Sequence, residues 1–285
     1  MSSRGEVLIS AEELIRSVAD GDQPIILDVR WRLDRPDGRA DYLTGHIPDA
    51  VYVSLDDELS DHGRTGAGRH PLPSGADLQA AARRWGVRNS QSVVVYDDWN
   101  RAGSSRAWWM LTAAGITDVR ILDGGLAAWT AAGGEVRNGE VMPAPGDVTV
   151  GRGNLYAGMR ATLTAQQVSG GQVSTLLDAR APERFRGDVE PVDPVAGHIP
   201  GARNLPSTTV LAADGTFLPD AGLTELFRAA GIVGSAAVGV YCGSGITASV
   251  LLAALSAVGI DAALFPGSWS QWSSEPERPV ALGPE

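Results

Sequence analysis

Lysine is absent from this chain: all 23 basic residues are arginine. Schiff-base chemistry and phosphate loops that depend on a lysine are thereby excluded. Cysteine is nearly absent, with one copy, Cys242, among 285 residues. A single thiol cannot build an internal disulfide, a CxxC redox pair or a zinc site of several cysteines. With only four histidines beside it, a metal has few ligands to draw on, and neither a metal nor another cofactor is expected. Positive charge is also short, the net charge being −11. Nucleic acid and anionic membrane surfaces are therefore poor partners. The longest apolar stretch, from Val250 to Phe265, is broken by Ser256, Gly259 and Asp261, so no segment reads as a membrane span. The start, Met1 to Ser10, carries Arg4 and Glu6 and lacks the apolar core of a secretory signal. A cytoplasmic protein is expected.

What the chain does contain is a duplication. The first half reads Ile25-Ile26-Leu27-Asp28-Val29-Arg30, Gly45-His46-Ile47-Pro48, Val93-Val94-Val95-Tyr96-Asp97 and a segment ending in Trp129. The second reads Thr175-Leu176-Leu177-Asp178-Ala179-Arg180, Gly197-His198-Ile199-Pro200, Val238-Gly239-Val240-Tyr241-Cys242 and a segment ending in Trp272. The offsets drift by only a few residues: 150 from Asp28 to Asp178, 152 from His46 to His198, 145 from Tyr96 to Tyr241 and 143 from Trp129 to Trp272. A repeat of this length implies two domains of similar fold, and two domains of roughly 130–150 residues suit the chain length.

Short apolar runs (Ile25–Leu27, Val93–Tyr96, Arg120–Leu122) alternate with helical segments (Ala11–Ala19, Asp77–Trp85, Ser104–Ala114). That alternation predicts an α/β fold in which each domain is a parallel sheet flanked by helices on both faces. Ser10 with Glu13, and Thr164 with Gln167, have capping-box spacing and open the two repeats alike. Glycine and proline are dense between Gly133 and Gly158, which divides the chain into residues 1–135, a linker at 136–157, and residues 158–285.

The segment that carries chemistry is Tyr241-Cys242-Gly243-Ser244-Gly245-Ile246-Thr247-Ala248. A strand ends, glycines let the backbone curl, and an apolar helix begins near Thr247. Ligands bind at the carboxyl ends of strands in open parallel sheets. Curled backbone and a helix N-terminus both aim N–H groups at one point, where they stabilise a sulfur anion. The loop itself holds no cation. At the corresponding position the first half has Asp97, which cannot form a persulfide, so only the second half is expected to be catalytic.

These motifs, in this order, resemble the rhodanese superfamily, and specifically its tandem-domain sulfurtransferases. The motifs are Asp-x-Arg, Gly-His-Ile-Pro-Gly-Ala at 197–202, Cys-Gly-Ser-Gly-Ile-Thr-Ala at 242–248 and Gly-Ser-Trp at 267–269. The resemblance implies two tandem rhodanese-like domains, the first inactive. It implies a small-molecule donor, mercaptopyruvate or thiosulfate, whose sulfur passes through a Cys242 persulfide to cyanide or to a thiol such as reduced thioredoxin. The neutral loop is similar to the mercaptopyruvate branch, in which Ser244 handles protons and Gly243, Gly245, Ile246, Thr247 and Ala248 surround the substrate. That branch holds the donor carboxylate with two arginines, of which Arg184 matches one. The stretch where the second belongs, Glu190-Pro191-Val192-Asp193-Pro194-Val195-Ala196, has no arginine. Arg101 and Arg186 are the candidates to replace it.

His46, with Asp37 or Asp41, is a candidate to complete a relay through Ser244, and Trp31 to line the site. His62 and His70, in a loop of glycine, arginine and proline, receive no role. Asp28 with Arg30 and Asp178 with Arg180 recur in both halves and read as structural ion pairs. Trp108, Trp109, Trp129, Trp269 and Trp272 read as packing residues. Phosphatases of related fold need an arginine where this loop has Ala248. A non-catalytic binding or sensor module remains the alternative function.

Overall fold

The computed structural model describes residues 3–233 and 237–284. The chain forms two compact units. The first comprises Met1–Asp61, Leu72–Arg160 and Leu211–Phe217, and the second comprises His62–Pro71, Ala161–Val210 and Leu218–Glu285. Each unit therefore holds a short segment from the other half of the sequence.

The first unit is built on strands β1 (Leu8–Ile9), β2 (Ile25–Asp28), β3 (Val51–Tyr52), β4 (Val93–Tyr96) and β5 (Val119–Leu122), all parallel, in the order β1-β5-β4-β2-β3. The second unit has β6 (Thr175–Asp178), β7 (Ala202–Asn204), β8 (Val238–Tyr241) and β9 (Ala262–Leu264), again parallel, in the order β7-β6-β8-β9. The orders superpose as β3-β2-β4-β5 on β7-β6-β8-β9, and the registers agree: Asp28 faces Tyr96 as Asp178 faces Tyr241. An isolated parallel bridge from Thr162 to Leu264 stands where β1 pairs with β5.

Successive side chains of a strand point to opposite faces. In the first unit Ile26, Val94, Tyr96 and Leu122 pack with Leu14 of helix Ala11–Ala19 and Trp129 of helix Gly125–Ala131. Their neighbours Leu27, Val93, Val95 and Ile121 face the other way and are equally buried, and helix Ala102–Ala113 packs on β4 and β5. A sheet buried on both faces needs largely apolar strands, and Val93–Tyr96 at its centre is buried throughout. The second unit repeats the scheme. Leu176, Tyr241, Phe265, Trp269 and Trp272 share one cluster, while helix Ala248–Ala257 packs on β8 and β9. Both capping boxes form, Ser10 with Glu13 and Thr164 with Gln167. Among the described residues, no helix is long and apolar enough to cross a membrane.

Residues 136–157 lie along the first unit, with Val148 buried, Arg83 Nε donating to its carbonyl at 2.9 Å and Thr149 N–H donating to Asn89 Oδ1 at 3.1 Å. Arg137 exchanges backbone hydrogen bonds with His46, and Ala281 does the same with His198. The tail after Ser273 thus folds back on its own unit as residue 137 does on the first.

Asp28 and Arg30 form a buried bidentate pair, as do Asp178 and Arg180, with Nη2–Oδ2 distances of 2.8 and 2.6 Å. Each carboxylate sits at a strand end with 0% exposure and has its charge met by the arginine two residues on. Removing one partner of such a pair leaves an uncompensated buried charge, which costs several kcal/mol. Arg30→Ala is therefore expected to lower the stability of the first unit by about 3–5 kcal/mol in urea denaturation. Replacing both partners, with Asp28→Leu and Arg30→Met, is expected to lower it by clearly less.

Candidate active site

Cys242 follows β8, and its own backbone is fixed before its side chain is considered. Its N–H donates to Ser268 Oγ at 3.2 Å, its carbonyl accepts from Trp269 N–H at 2.9 Å, and the carbonyl of Gly243 accepts from Ser270 N–H at 2.8 Å. Ser268 pays for this clamp with a left-handed backbone (φ 52°). Gly245, also left-handed (φ 81°), turns the loop so that its N–H points back at Cys242 Sγ, 3.1 Å away. Glycine adopts that conformation without the steric cost of a Cβ. Ile246 and Ala248 are buried, and the helix Ala248–Ala257 starts directly after Thr247. The sulfur is nearly closed off, with 1% of the residue exposed.

Two further parts of the second unit complete the surroundings. The segment His62–Pro71 arrives with Arg69 N–H on Ser270 Oγ at 2.9 Å. It carries His70, buried, with Nδ1 2.8 Å from Ser244 Oγ. From helix Pro182–Arg186 and the following loop comes a ladder of alternating charge. Asp178 holds Arg180, and Arg180 reaches Glu190 at 3.3 Å. Glu190 holds Arg184 at 2.6 Å, Arg184 reaches Asp193 at 3.1 Å, and Asp193 holds Arg69 at 2.6 Å. The Arg69 and Arg184 guanidinium groups both come within 3.4 Å of where a side chain on Gly243 would begin. Cations absent from the loop's own sequence are thus delivered beside it by other segments.

The rhodanese-like domain family matches this chain twice, at residues 10–132 and 161–275. The chain belongs to the rhodanese-like family. It is 65% identical, over 99% of both chains, to a protein of Mycobacterium tuberculosis named putative thiosulfate sulfurtransferase SseB. It is 44% identical to a probable 3-mercaptopyruvate sulfurtransferase of Pseudomonas aeruginosa, over 97% of this chain and 98% of the other. The crystal structure of SseA from Escherichia coli, a study of 3-mercaptopyruvate enzymes, matches with a TM-score of 0.80 at 31% identity, over 92% of this chain and 98% of that one. The chain is a sulfurtransferase with two rhodanese-like domains.

In this rhodanese-like enzyme the other candidate residues have the following surroundings. Arg101 engages one edge of its guanidinium within its own loop. It is buried in the first unit, paired with Asp97 at 2.9 Å and donating to the carbonyl of Trp99. Arg186 pairs with Asp188 at 2.8 Å with 38% of its side chain exposed, while its neighbour Arg184 faces the loop. His46 is a buried structural residue of the first unit: its Nδ1 lies 3.0 Å from the Tyr42 carbonyl and its ring stacks on Tyr42 at 4.2 Å. His198 repeats that arrangement on Phe185. The histidine beside Ser244 is His70, which the sequence gave no reason to choose, since its partner is 174 positions away. Trp31 is buried after β2 in the first unit.

The first-unit counterpart of the cysteine loop is filled from within. Asp97 Oδ1 accepts from the N–H groups of Trp99 and Arg101, and Oδ2 accepts from Ser104 N–H and Oγ. Donors equivalent in kind to those around Cys242 are spent on a fixed carboxylate.

Burial by itself would raise the Glu190 carboxyl. Hydrogen bonds from Arg184 and from the Asp193 and Val192 N–H groups, with the Arg184 charge, outweigh it and hold the group below its ordinary value. A depressed carboxylate contributes stability above its unfolded value, about pH 4.3, and loses it as pH falls through the lower folded value. Denaturation across pH should therefore find the wild type more stable than Glu190→Gln at pH 7. That advantage should shrink as pH falls below the ordinary glutamate range and be gone only below the lowered folded value.

Proposed function

We propose that this sulfurtransferase carries sulfur as a persulfide on Cys242, takes it from 3-mercaptopyruvate, and passes it to a thiol such as reduced thioredoxin or to cyanide in the cytoplasm. The observation that carries the reading is the Ser244–His70 pair at 2.8 Å, one turn of loop from the sulfur. The two named donor classes differ in what leaves. Thiosulfate releases sulfite, a stable anion that needs no proton. Mercaptopyruvate releases a carbon skeleton as an enolate, which needs one.

In the first step the Cys242 thiolate attacks the donor sulfur, an S–S bond forms and the donor C–S bond breaks. The electron pair of that bond goes to the departing enolate. The proton carried by the donor's S–H moves through Ser244 and His70 to the enolate carbon, and pyruvate leaves. The outer sulfur stays on Cys242 as an anion, supported by the Gly245 N–H and the start of helix Ala248–Ala257. In the second step the acceptor thiolate attacks the outer sulfur and the Cys242 thiolate departs. Cyanide reacts in the same way to give thiocyanate.

Mass spectrometry after exposure to the donor should find about 32 Da, one sulfur atom, added at Cys242. Cys242→Ser should neither gain this mass nor turn over. Ser244→Ala and His70→Gln should each lower kcat with mercaptopyruvate by about 10²-fold and change cyanolysis of thiosulfate far less. Equal losses with both donors would remove the proton-relay argument and favour thiosulfate as the donor.

A further inference from the structure

We infer that Arg69, from the segment His62–Pro71, is the second arginine of the donor-carboxylate site, working with Arg184 across Gly243. This deepens the proposed function and rests on Cys242 being the sulfur carrier. The resemblance places a second carboxylate-binding arginine in the loop 190–196, where this chain has the opposite charge, Asp193. The structure puts that carboxylate to a different use. Asp193 Oδ1 accepts from Arg69 Nη1 at 2.6 Å and Oδ2 accepts from Arg184 Nη2 at 3.1 Å, with its own side chain only 3% exposed. One acid bridges two guanidinium groups, offsets their repulsion and fixes their planes.

The remaining edges of the two groups are the informative part. Arg184 spends Nε and Nη2 on Glu190 and Asp193, and Arg69 spends Nη1 on Asp193. Arg69 Nη2 and Arg184 Nη1 donate no hydrogen bond among the described residues, and these two atoms are the ones nearest Gly243, each 3.4 Å from its Cβ position. Arg69 Nε is buried and also lacks a partner. Two adjacent, unspent donors on separate arginines form a fork that matches the two oxygens of a carboxylate. The fork lies beside the residue next to Cys242. A carboxylate bridging it sets a small donor of the 3-mercaptopyruvate kind with its sulfur near Sγ. Arg69 would thus touch the substrate, and its effect would fall on KM.

Affinity labelling tests this without relying on the identity of the donor. Iodoacetate and iodoacetamide alkylate the same thiol, and only iodoacetate carries a carboxylate. In the wild type Cys242 should react with iodoacetate in clear preference to iodoacetamide. Arg69→Gln should lower the ratio of the two rates by about tenfold or more, the loss of a charge-assisted hydrogen bond. Arg69→Lys, which keeps the charge and loses the planar fork, should lower it by a smaller factor. If Arg69→Gln does not fold, Arg69→Lys alone carries the test, an unchanged ratio counting against the inference. Steady-state assays should show KM for mercaptopyruvate raised by a similar factor in Arg69→Gln, with kcat within about twofold. An unchanged ratio alongside normal iodoacetamide labelling would overturn the assignment of Arg69. Failure of iodoacetamide to label the wild type at all would instead count against Cys242 as the carrier.

Discussion

Much of the second unit is organised by one requirement: the carboxylate of Asp178, buried at the end of β6, must have a cation. Arg180 supplies it, and because Arg180 is also buried its remaining N–H donors must be met in turn, Nη1 by Glu190. Glu190, Arg184, Asp193 and Arg69 extend the same alternation outward until it ends beside Gly243. The loop after Cys242 thus receives its neighbouring cations as the last members of a structural ladder. Their positions are set by burial and by one another, so the two guanidinium groups are held in place beside the loop.

The two units show how one scaffold diverges. Asp28 and Arg30 repeat the root of the ladder, and the Arg30 and Arg180 guanidinium groups both reach the carbonyl of the glycine preceding His-Ile-Pro. In the first unit the resemblance ends at the strand that follows. Asp97 fills the cradle where Cys242 stands, Arg101 neutralises it, and Gly125 lets that guanidinium lie against bare backbone. Four donors of the first loop converge on the Asp97 carboxylate, whereas in the second the Gly245 N–H meets the Cys242 sulfur. Geometry is conserved between the units; the residue at the strand end is not.

The fold was legible because its signals are local. Alternation of apolar runs with helices, two capping boxes and the recurring Asp-x-Arg and His-Ile-Pro segments each involve residues within a few positions of one another, and backbone sterics and burial translate them directly into strands, caps and turns. Cys242 and its glycines were legible for the same reason: a strand end, a left-handed glycine and a helix start lie within one short loop. Arg184 was legible only through resemblance to a family.

Arg69 and His70 were not legible. They sit among glycines and prolines with no periodicity, and the groups that give them meaning, Asp193, Ser244 and Ser270, lie more than a hundred residues away. Arg101 and His46 stood out because their sequence neighbourhoods were informative, and the structure buries them against Asp97 and Tyr42 in the first unit. The amino-acid order by itself determined a duplicated parallel α/β chain with its one cysteine at a strand end, since those features follow from local propensity and from having a single cysteine. Which arginine approaches Gly243 and which histidine meets Ser244 was decided only when tertiary packing carried residues 62–71 into the second unit, because hydrogen-bond partners across such separations are chosen by space and not by spacing.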